Sequence, residues 1–248
     1  MKIAVFSDMH GNCTALDAML DHLSANPADK LVCLGDTVQG GPQPHETLQR
    51  LRELGCPVIM GNADAWMLSG VETSATEAPP TQQMQRIREW SLKKLNPEDV
   101  DFINTFLPTV EISLEGRHRL LCFHGSPRSF DDVFLPETPQ EEFEGFLGEY
   151  TPAIMTGGHT HLQYVRRLGS TFYFNPGSVG RPFDRHQSGE PYRADPWVEY
   201  AVLTSTADGV LGLEFRRVLY DTRIIYNYIL NSDMPDAALV AEKHRPLT

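Results

Sequence analysis

The sequence predicts an α/β fold in which parallel strands are joined by crossover helices. Two observations near the start of the chain support this. Three short apolar runs occupy residues 3–6, 31–34 and 57–60, and the segments between them carry hydrophobic residues at helical spacing. A βαβαβ order of this kind places the strands in one sheet, and the loops that follow them lie at a common edge.

The two intervening segments each predict an amphipathic helix. Apolar residues recur three or four positions apart, which places them on one helical face. In the first segment they are Ala15, Leu16, Met19, Leu20 and Leu23, and in the second they are Leu48, Leu51 and Leu54. The first helix is expected to end at Asn26-Pro27, because the residue before a proline disfavours helical geometry.

The stretch from about residue 65 to residue 107 differs from the rest of the chain. It predicts a helix start at 65–68, a loop rich in Pro, Ser and Thr at 72–81, and helices at 84–95 and 97–106. The stretch has few large apolar residues of its own to bury. We therefore expect a helical insert that packs over one rim of the sheet, within a single domain spanning residues 1–248.

The second half of the chain returns to strands. A hairpin is predicted from residues 110–114 and 120–123, with its turn at Glu115-Gly116. A helix at 140–146 and a strand at 153–156 follow, and further strands are expected at 163–167, 171–174, 198–204 and 210–216. No internal repeat is visible.

Composition excludes several classes of partner. The formal net charge of −12 disfavours a nucleic-acid polymer, because such binding needs clustered Lys and Arg. No apolar stretch approaches the roughly 20 residues of a membrane helix, and the apolar start is too short for a signal peptide. The four cysteines form no Cys-x-x-Cys pair, which favours reduced thiols. We expect a cytoplasmic protein, and a small anionic ligand remains possible where bound cations reverse the local field.

Polar side chains follow five of the predicted strands. In chain order they are Asp8 and His10, Asp36, Asn62, His124, and His159 and His161. Taken singly, each has an ordinary explanation, since Asp often caps a helix and a lone His often lies in a turn. Asp8 and His10, two apart at the end of a strand, are expected to point the same way. Together the oxygen and nitrogen donors indicate a site for divalent transition metals.

The order of these motifs resembles that of the calcineurin-like metallophosphoesterases. The matching motifs are Asp-x-His, Gly-Asp, Gly-Asn, a lone His and Gly-His-x-His, between Asp8 and about Pro182. The resemblance implies a four-layered α/β/β/α sandwich with its metal site at the C-terminal ends of strands. It also implies a division of the ligands, in which Asp8, His10 and His161 hold one metal, Asn62, His124 and His159 hold the other, and Asp36 bridges them.

Two metals held in this way would hydrolyse a phosphate ester or anhydride. They would lower the pKa of a bridging water, supply hydroxide at neutral pH and bind phosphoryl oxygens during in-line attack. Asp36, Asn62 and His124 are the candidate catalytic residues among the ligands. Mn is the preferred metal, because the donors are oxygen and nitrogen without thiolate, while Fe, Zn, Ni and Co remain possible.

The third motif departs from the family pattern. The family has a His after Gly-Asn that assists the leaving group, and this chain has Ala63. Leaving groups that depart as stable anions should suffer least from its loss. Small prokaryotic members without this His resemble phosphodiesterases or dinucleoside polyphosphate hydrolases, so we expect a nucleotide substrate such as diadenosine tetraphosphate. Asp64 is expected to cap a helix that begins at Ala65.

Two alternatives and several details stay open. A serine/threonine protein phosphatase of the same family is one alternative, and a non-catalytic scaffold resembling the small retromer subunit is the other. Candidate substrate contacts are Asn12, Arg128 and Arg181, since Arg suits phosphate oxygens. The site could be covered by the helical insert or by the loop that contains Arg185, His186, Tyr192 and Arg193. The sequence does not indicate an oligomeric state.

Overall fold

The structure of this chain, a computed structural model, describes residues 1–71, 81–150, 152–188 and 192–246. Within them the chain forms the strands β1 (Lys2–Phe6), β2 (Lys30–Cys33), β3 (Val110–Ser113), β4 (Arg119–Cys122), β5 (Ile154–Thr156), β6 (Gln163–Leu168), β7 (Thr171–Pro176), β8 (Trp197–Ser205) and β9 (Leu211–Leu219). They make two mixed sheets with the orders β2-β1-β8-β9 and β3-β4-β5-β7-β6. The pairs β1–β2, β4–β5 and β5–β7 are parallel.

Helices flank both sheets. They are α1 (Cys13–Ala25), α2 (Pro44–Leu54), α3 (Asn62–Ser69), α4 (Gln82–Lys94), α5 (Pro97–Ile103), α6 (Gln140–Leu147), α7 (Thr222–Asn231) and α8 (Ala237–Glu242). The predicted α/β fold is confirmed, and the predicted insert contains α4, α5 and most of α3. The loop expected at 72–81 lies outside the described residues, except for its last position.

The layers follow from the alternation of side chains along the central strands. In β1, Ile3 and Val5 pack into a core between the two sheets, whereas Ala4 and Phe6 pack with α1 and α2. Strand β4 alternates in the same way between the core and α6. The result is the four-layered α/β/β/α sandwich that the family resemblance implies.

The prediction of a third regular strand in the βαβαβ unit, at residues 57–60, is wrong. Val58 forms an isolated parallel bridge to Cys33, and Ile59 forms another to Leu107. Pro57 has no N–H to donate, and α3 already begins at Asn62, so few residues remain to extend a ladder. The segment still runs beside β2, and Asn62 therefore reaches the same edge as the loop after β2.

Helices α7 and α8, near the end of the described chain, were not predicted from the sequence. They pack against the insert, since Ile87 and Trp90 of α4 share an apolar cluster with Ile225, Ile229 and Val240. The insert is therefore joined to the C-terminal part of the chain as well as to the sheet.

All four cysteines are free thiols, as expected, and three of them are buried. No helix in the described ranges combines the length and the apolar character that crossing a membrane requires.

Candidate metal centre

Most of the predicted ligands lie in loops whose backbone is unusual for residues other than glycine. Five have positive φ angles, namely Asp8 at 58°, His10 at 48°, Asp36 at 53°, His159 at 69° and His161 at 56°. A left-handed conformation costs a non-glycine residue roughly 1–2 kcal/mol, and such strain concentrates at functional sites. We expected Asp8 and His10 to leave an extended strand side by side. This is wrong, because β1 ends at Phe6 and both residues lie in the loop after it.

The loops after β1 and β2 hold each other in place. The N–H of Asp8 donates to the carbonyl of Gly35, and the N–H of His10 donates to the carbonyl of Asp36, both at 2.9 Å. The N–H of Gly11 continues the pattern to the carbonyl of Thr37 at 2.8 Å. These backbone bonds offset part of the strain and fix the two carboxylates relative to each other.

Asp64 caps the start of a helix, as predicted, since its carboxylate accepts the N–H of Gly61 at 3.2 Å, but the predicted helix start at Ala65 is wrong. Helix α3 begins at Asn62, so Asp64 lies in its first turn and is fully buried. Its carboxylate accepts the backbone N–H groups of Asp36 and Thr37, both at 2.8 Å. Burial, followed by the charge of Asp36, raises the pKa of Asp64 to about 7. Asp64 therefore fixes the loop that presents Asp36.

Six of the seven predicted ligands fall into two clusters. Cluster A contains Asp8, His10 and His161, and cluster B contains Asp36, His124 and His159. Within each cluster, one donor atom from every residue lies within 4.8 Å of the others. This matches the division that the resemblance implies.

The remaining ligand and the bridging carboxylate also fit this division. Oδ1 of Asn62 lies 3.1 Å from Nε2 of His124, which adds Asn62 to cluster B. Asp36 faces both clusters, because its Oδ2 is 3.7 Å from Nε2 of His10 and its Oδ1 is 3.4 Å from Nε2 of His124. Asp36 is thus positioned to give one oxygen to each of two cations.

Three of the histidines are oriented by backbone carbonyls. Their Nδ1 atoms lie 2.7–2.9 Å from a carbonyl oxygen: His10 from Gln39, His124 from Leu34, and His161 from Arg181. When Nδ1–H donates to a carbonyl, a neutral imidazole presents the lone pair of Nε2, which is the form that binds metals. Each Nε2 faces the centre of its cluster.

The atoms of cluster A fit a cation. Nε2 of His10 and Nε2 of His161 are only 3.0 Å apart, and Oδ1 of Asp8 is buried with no hydrogen-bond partner. Two acceptor atoms of buried residues and the Nε2 of the partly buried His161 converge here, which is unfavourable unless a positive charge satisfies them. A divalent cation bound by both nitrogens and the carboxylate would do so.

Glycine permits the close approach of the backbone to these carboxylates. A Cβ at Gly61 would lie 2.1 Å from Oδ1 of Asp36, and a Cβ at Gly158 would lie 2.2 Å from Oγ of Ser7 and 3.0 Å from Oδ2 of Asp8. A side chain at Gly61 would displace the ligand Asp36, and a side chain at Gly158 would displace Ser7 and crowd the ligand Asp8. This explains why glycine precedes Asn62 and His159 in the two motifs.

The buried charges shift the pKa values of the histidines in opposite directions. Burial, followed by the charge of His161, lowers the pKa of His10 to about 4. Burial also acts to lower the pKa of His124, but the charge of Asp36 and the hydrogen bond to it prevail and raise that pKa to about 10. Burial alone would raise the pKa values of Asp8 and Asp36, yet the neighbouring histidines lower both.

A cleft of about 320 Å³ opens above both clusters. Its floor contains ligands from each cluster, and its walls come from α3, α4 and the end of the chain. The wall residues are Gln39, Gly40, Ala63, Trp66, Gln83, Met84, Ile87, Asp131, Arg181, Val240 and Lys243. The insert, one of the two covers that the sequence left open, thus contributes to the wall of the cleft. We did not predict from the sequence that Asp131 and the residues at α8 would line it.

A sequence signal for helix α7, which packs against α4, did exist. Ile225 and Ile229 are four residues apart and both are buried, which is the spacing of an amphipathic helix. Val240 and Ala241 are buried in α8.

Of the three predicted substrate contacts, Arg181 is the one found among the described residues of the cleft wall. Asn12 is buried; its Oδ1 accepts the N–H of Ala15 at 3.0 Å and caps α1, and its amide donates to Gly180 O at 3.1 Å. Nη1 of Arg128 lies 3.4 Å from the carbonyl of Gly145 on the surface. Asn12 and Arg128 therefore do not line the cleft.

Comparison with known proteins agrees with this geometry. The model of the calcineurin-like phosphoesterase superfamily domain matches residues 1–193. An uncharacterized protein of Methanocaldococcus jannaschii is 24% identical over an alignment of 251 positions, gaps included, which covers 94% of each chain. Phosphodiesterase YfcE of Escherichia coli strain K12 is 26% identical over 234 residues, 90% of this chain and 98% of YfcE.

Among solved structures, the fold is shared with a metallophosphoesterase from Sphaerobacter thermophilus. The TM-score is 0.71 at 22% identity, and the match covers 98% of both chains. The matched family model spans well over half of the chain and includes all seven predicted ligands. The chain therefore belongs to the calcineurin-like phosphoesterase superfamily and is a metal-dependent phosphoesterase.

Proposed function

We propose that this chain hydrolyses phosphodiesters or nucleotide phosphoanhydrides, such as diadenosine tetraphosphate, with two divalent metal ions. The observation that carries the proposal is the position of Asp36, whose two oxygens face two separate ligand clusters at the floor of one cleft. A relative named as a phosphodiesterase supports the same substrate class.

The chain's own residues would divide the work in a simple way. Asp8, His10 and His161 would hold one ion, Asn62, His124 and His159 would hold the other, and Asp36 would contact both. Bound divalent ions supply a nucleophile at neutral pH and neutralise phosphoryl oxygens. Arg181 in the cleft wall offers a guanidinium that suits a phosphate oxygen.

Ala63 supports the proposed preference for diesters and anhydrides. Its backbone N–H donates to Oδ1 of Asp36 at 2.9 Å, and its methyl group lines the cleft. A methyl group has no proton to give to a leaving group. Substrates whose leaving group departs as a stable anion are therefore favoured over the alkyl phosphomonoesters of a protein phosphatase.

We propose Mn²⁺ as the metal, since the donor atoms are carboxylate and amide oxygens and imidazole nitrogens. Cys13, the cysteine nearest in sequence to Asp8 and His10, lies at the start of α1, and burial raises the pKa of its thiol to about 12. Cys13 is not a member of either ligand cluster. The free thiols also fit the cytoplasmic location that we propose.

The test is turnover of bis(4-nitrophenyl) phosphate and diadenosine tetraphosphate by metal-depleted protein before and after addition of Mn²⁺. A serine phosphopeptide is assayed in parallel, and the Asp8→Ala variant, purified identically, measures contaminating phosphatase. We expect metal-dependent turnover of the first two substrates and little of the peptide.

Two outcomes would contradict the proposal. Preferential turnover of the phosphopeptide would indicate a protein phosphatase. Absence of turnover, together with less than one equivalent of metal in protein purified without chelator, would favour a non-catalytic scaffold.

A further inference from the structure

A second cavity adjoins the cleft of the metal centre. Its volume is about 360 Å³, which is within the range of small-molecule sites. The two cavities share four wall residues, Gln83, His161, Arg181 and Lys243. A ligand whose phosphate lies at the metal centre can therefore extend one substituent directly into the second cavity.

Aromatic rings line the second cavity. The ring centroids of Phe183 and Tyr192 are 5.6 Å apart, with 33° between the ring planes. Phe183 also contacts the ring of His161 edge-on, with centroids 5.8 Å apart. Tyr192 remains 45% exposed. The rings thus continue from His161 of cluster A into the cavity, and Tyr192 is only partly covered by the protein.

The charge of the second cavity differs from that of the chain as a whole. The chain has a formal net charge of −12, yet the described residues that line this cavity include no Asp or Glu. The basic side chains of Arg181 and Lys243 stand at its junction with the cleft. Cations at the junction and rings beyond it suit a ligand in which phosphate is attached to a planar aromatic group.

We propose that the second cavity is a nucleoside subsite, in which the base stacks on Tyr192 and Phe183 while Arg181 and Lys243 face the adjoining phosphate. Stacking on aromatic side chains tolerates any base, because every base has a π face. The subsite rests on the proposed phosphodiesterase function and names its substrate class. It would favour nucleotide esters and anhydrides over phosphates that carry only alkyl groups.

Two substrates that release the same leaving group test the subsite. Thymidine 5′-(4-nitrophenyl) phosphate and methyl 4-nitrophenyl phosphate both release 4-nitrophenolate, so they differ in the nucleoside alone. Tyr192→Ala is expected to raise KM for the nucleoside ester about tenfold and to change KM for the methyl ester less than twofold. Tyr192→Phe should restore the wild-type KM, because it keeps the ring.

A matched control removes another exposed tyrosine. Tyr150 is 41% exposed and lines neither cavity, so Tyr150→Ala should leave both KM values unchanged. Equal changes of KM for the two esters in Tyr192→Ala, or no change for either, would contradict the subsite.

A binding measurement separates failure of the subsite from failure of the proposed function. Calorimetric titration compares AMP with ribose 5-phosphate, which lacks the base. We expect AMP to bind about tenfold more tightly to the wild type and the difference to vanish in Tyr192→Ala. If neither ester is turned over but this pattern is seen, the proposed reaction is wrong and the subsite stands. If AMP and ribose 5-phosphate bind equally, the subsite is wrong.

Discussion

Asp36 faces both cluster A and cluster B, but the histidines of the two clusters differ in protonation. In cluster A, the pKa of His10 is about 4, so this ring is neutral at pH 7. In cluster B, the pKa of His124 is about 10, so this ring is protonated at pH 7 when no metal is bound. A proton on His124 thus partly balances Asp36, whereas Oδ1 of Asp8 in cluster A has no hydrogen-bond partner.

The difference indicates how each cluster takes up metal. His10 can bind a cation at neutral pH without losing a proton. His124 must release its proton first, because only the neutral imidazole is a ligand. The charge of Asp36 is the main cause of the raised pKa of His124, so the residue that faces both clusters also makes them unequal.

The largest effect is expected from removing that shared charge. Asp36→Asn should lower kcat for bis(4-nitrophenyl) phosphate by roughly 10²–10³-fold, the loss typical when a major electrostatic contribution is removed. It should also lower the pKa of His124 in the metal-free protein, because the neighbouring negative charge is gone. Kinetics and an NMR titration of the His124 ring measure the two effects.

Asp17→Asn is the matched control for this substitution. Asp17 lies on the surface in a salt bridge with Arg50, and loss of such an exposed pair should leave both readouts near the wild type. If Asp36→Asn retained full activity and an unchanged pKa of His124, the account of unequal clusters would be wrong.

The next effect is a change in the metal affinity of cluster B with pH, of up to about tenfold per pH unit. Because the pKa of His124 is raised from 6.5 to about 10, this group is protonated across pH 7–9 and competes with metal throughout that range. Affinity for the ion in cluster B should therefore rise by up to about tenfold per pH unit, the dependence for release of one proton. His10, with a pKa of about 4, should add no such dependence above pH 6.

Calorimetry in buffers of different ionisation enthalpy counts these protons. We expect close to one proton from His124 when cluster B fills, seen as a heat of binding that varies with the buffer. If the heat of binding is the same in all buffers for both ions, neither cluster releases a proton, and the proposed difference between them is wrong.

The positions of the ligands could be predicted because their signals are local. Asp8, Asp36 and His124 each follow an apolar run, and the ends of parallel strands meet at one edge of a sheet. The family resemblance then supplied the layers and the division of the ligands. Asn12 shows the limit of this approach, since its place beside the Asp-x-His motif reflects a helix cap and not a substrate contact.

Other features had no local signal. The left-handed backbone of Asp8 and Asp36 is imposed by hydrogen bonds between loops that are far apart in the chain, such as that from the N–H of Asp8 to Gly35 O. The hydrogen bond from the N–H of Asp36 to the carboxylate of Asp64 likewise joins two segments that are far apart in the chain. The wall formed by Ile87 and Val240 joins segments far apart in sequence, which no pattern within one segment can indicate.

The smallest effect is expected at Ala63, which lies beside cluster B. Its N–H contacts Asp36 and it follows Asn62 directly, so a histidine there adds a proton donor next to cluster B. Ala63→His should raise kcat/KM for an alkyl phosphodiester roughly tenfold, less than the 10²–10⁴ of an evolved general acid. For bis(4-nitrophenyl) phosphate, whose leaving group needs no proton, the change should stay within twofold.

A series of diesters with leaving groups of graded pKa measures this effect. The slope of log kcat/KM against leaving-group pKa should become shallower in Ala63→His, because proton transfer relieves the charge that develops on poor leaving groups. Ala63→Gln is the matched control, since it adds similar bulk without an acidic proton and should keep the wild-type slope. Equal gains across the series, or a shallower slope in Ala63→Gln, would show that the missing acid at this position does not limit the substrates of the enzyme.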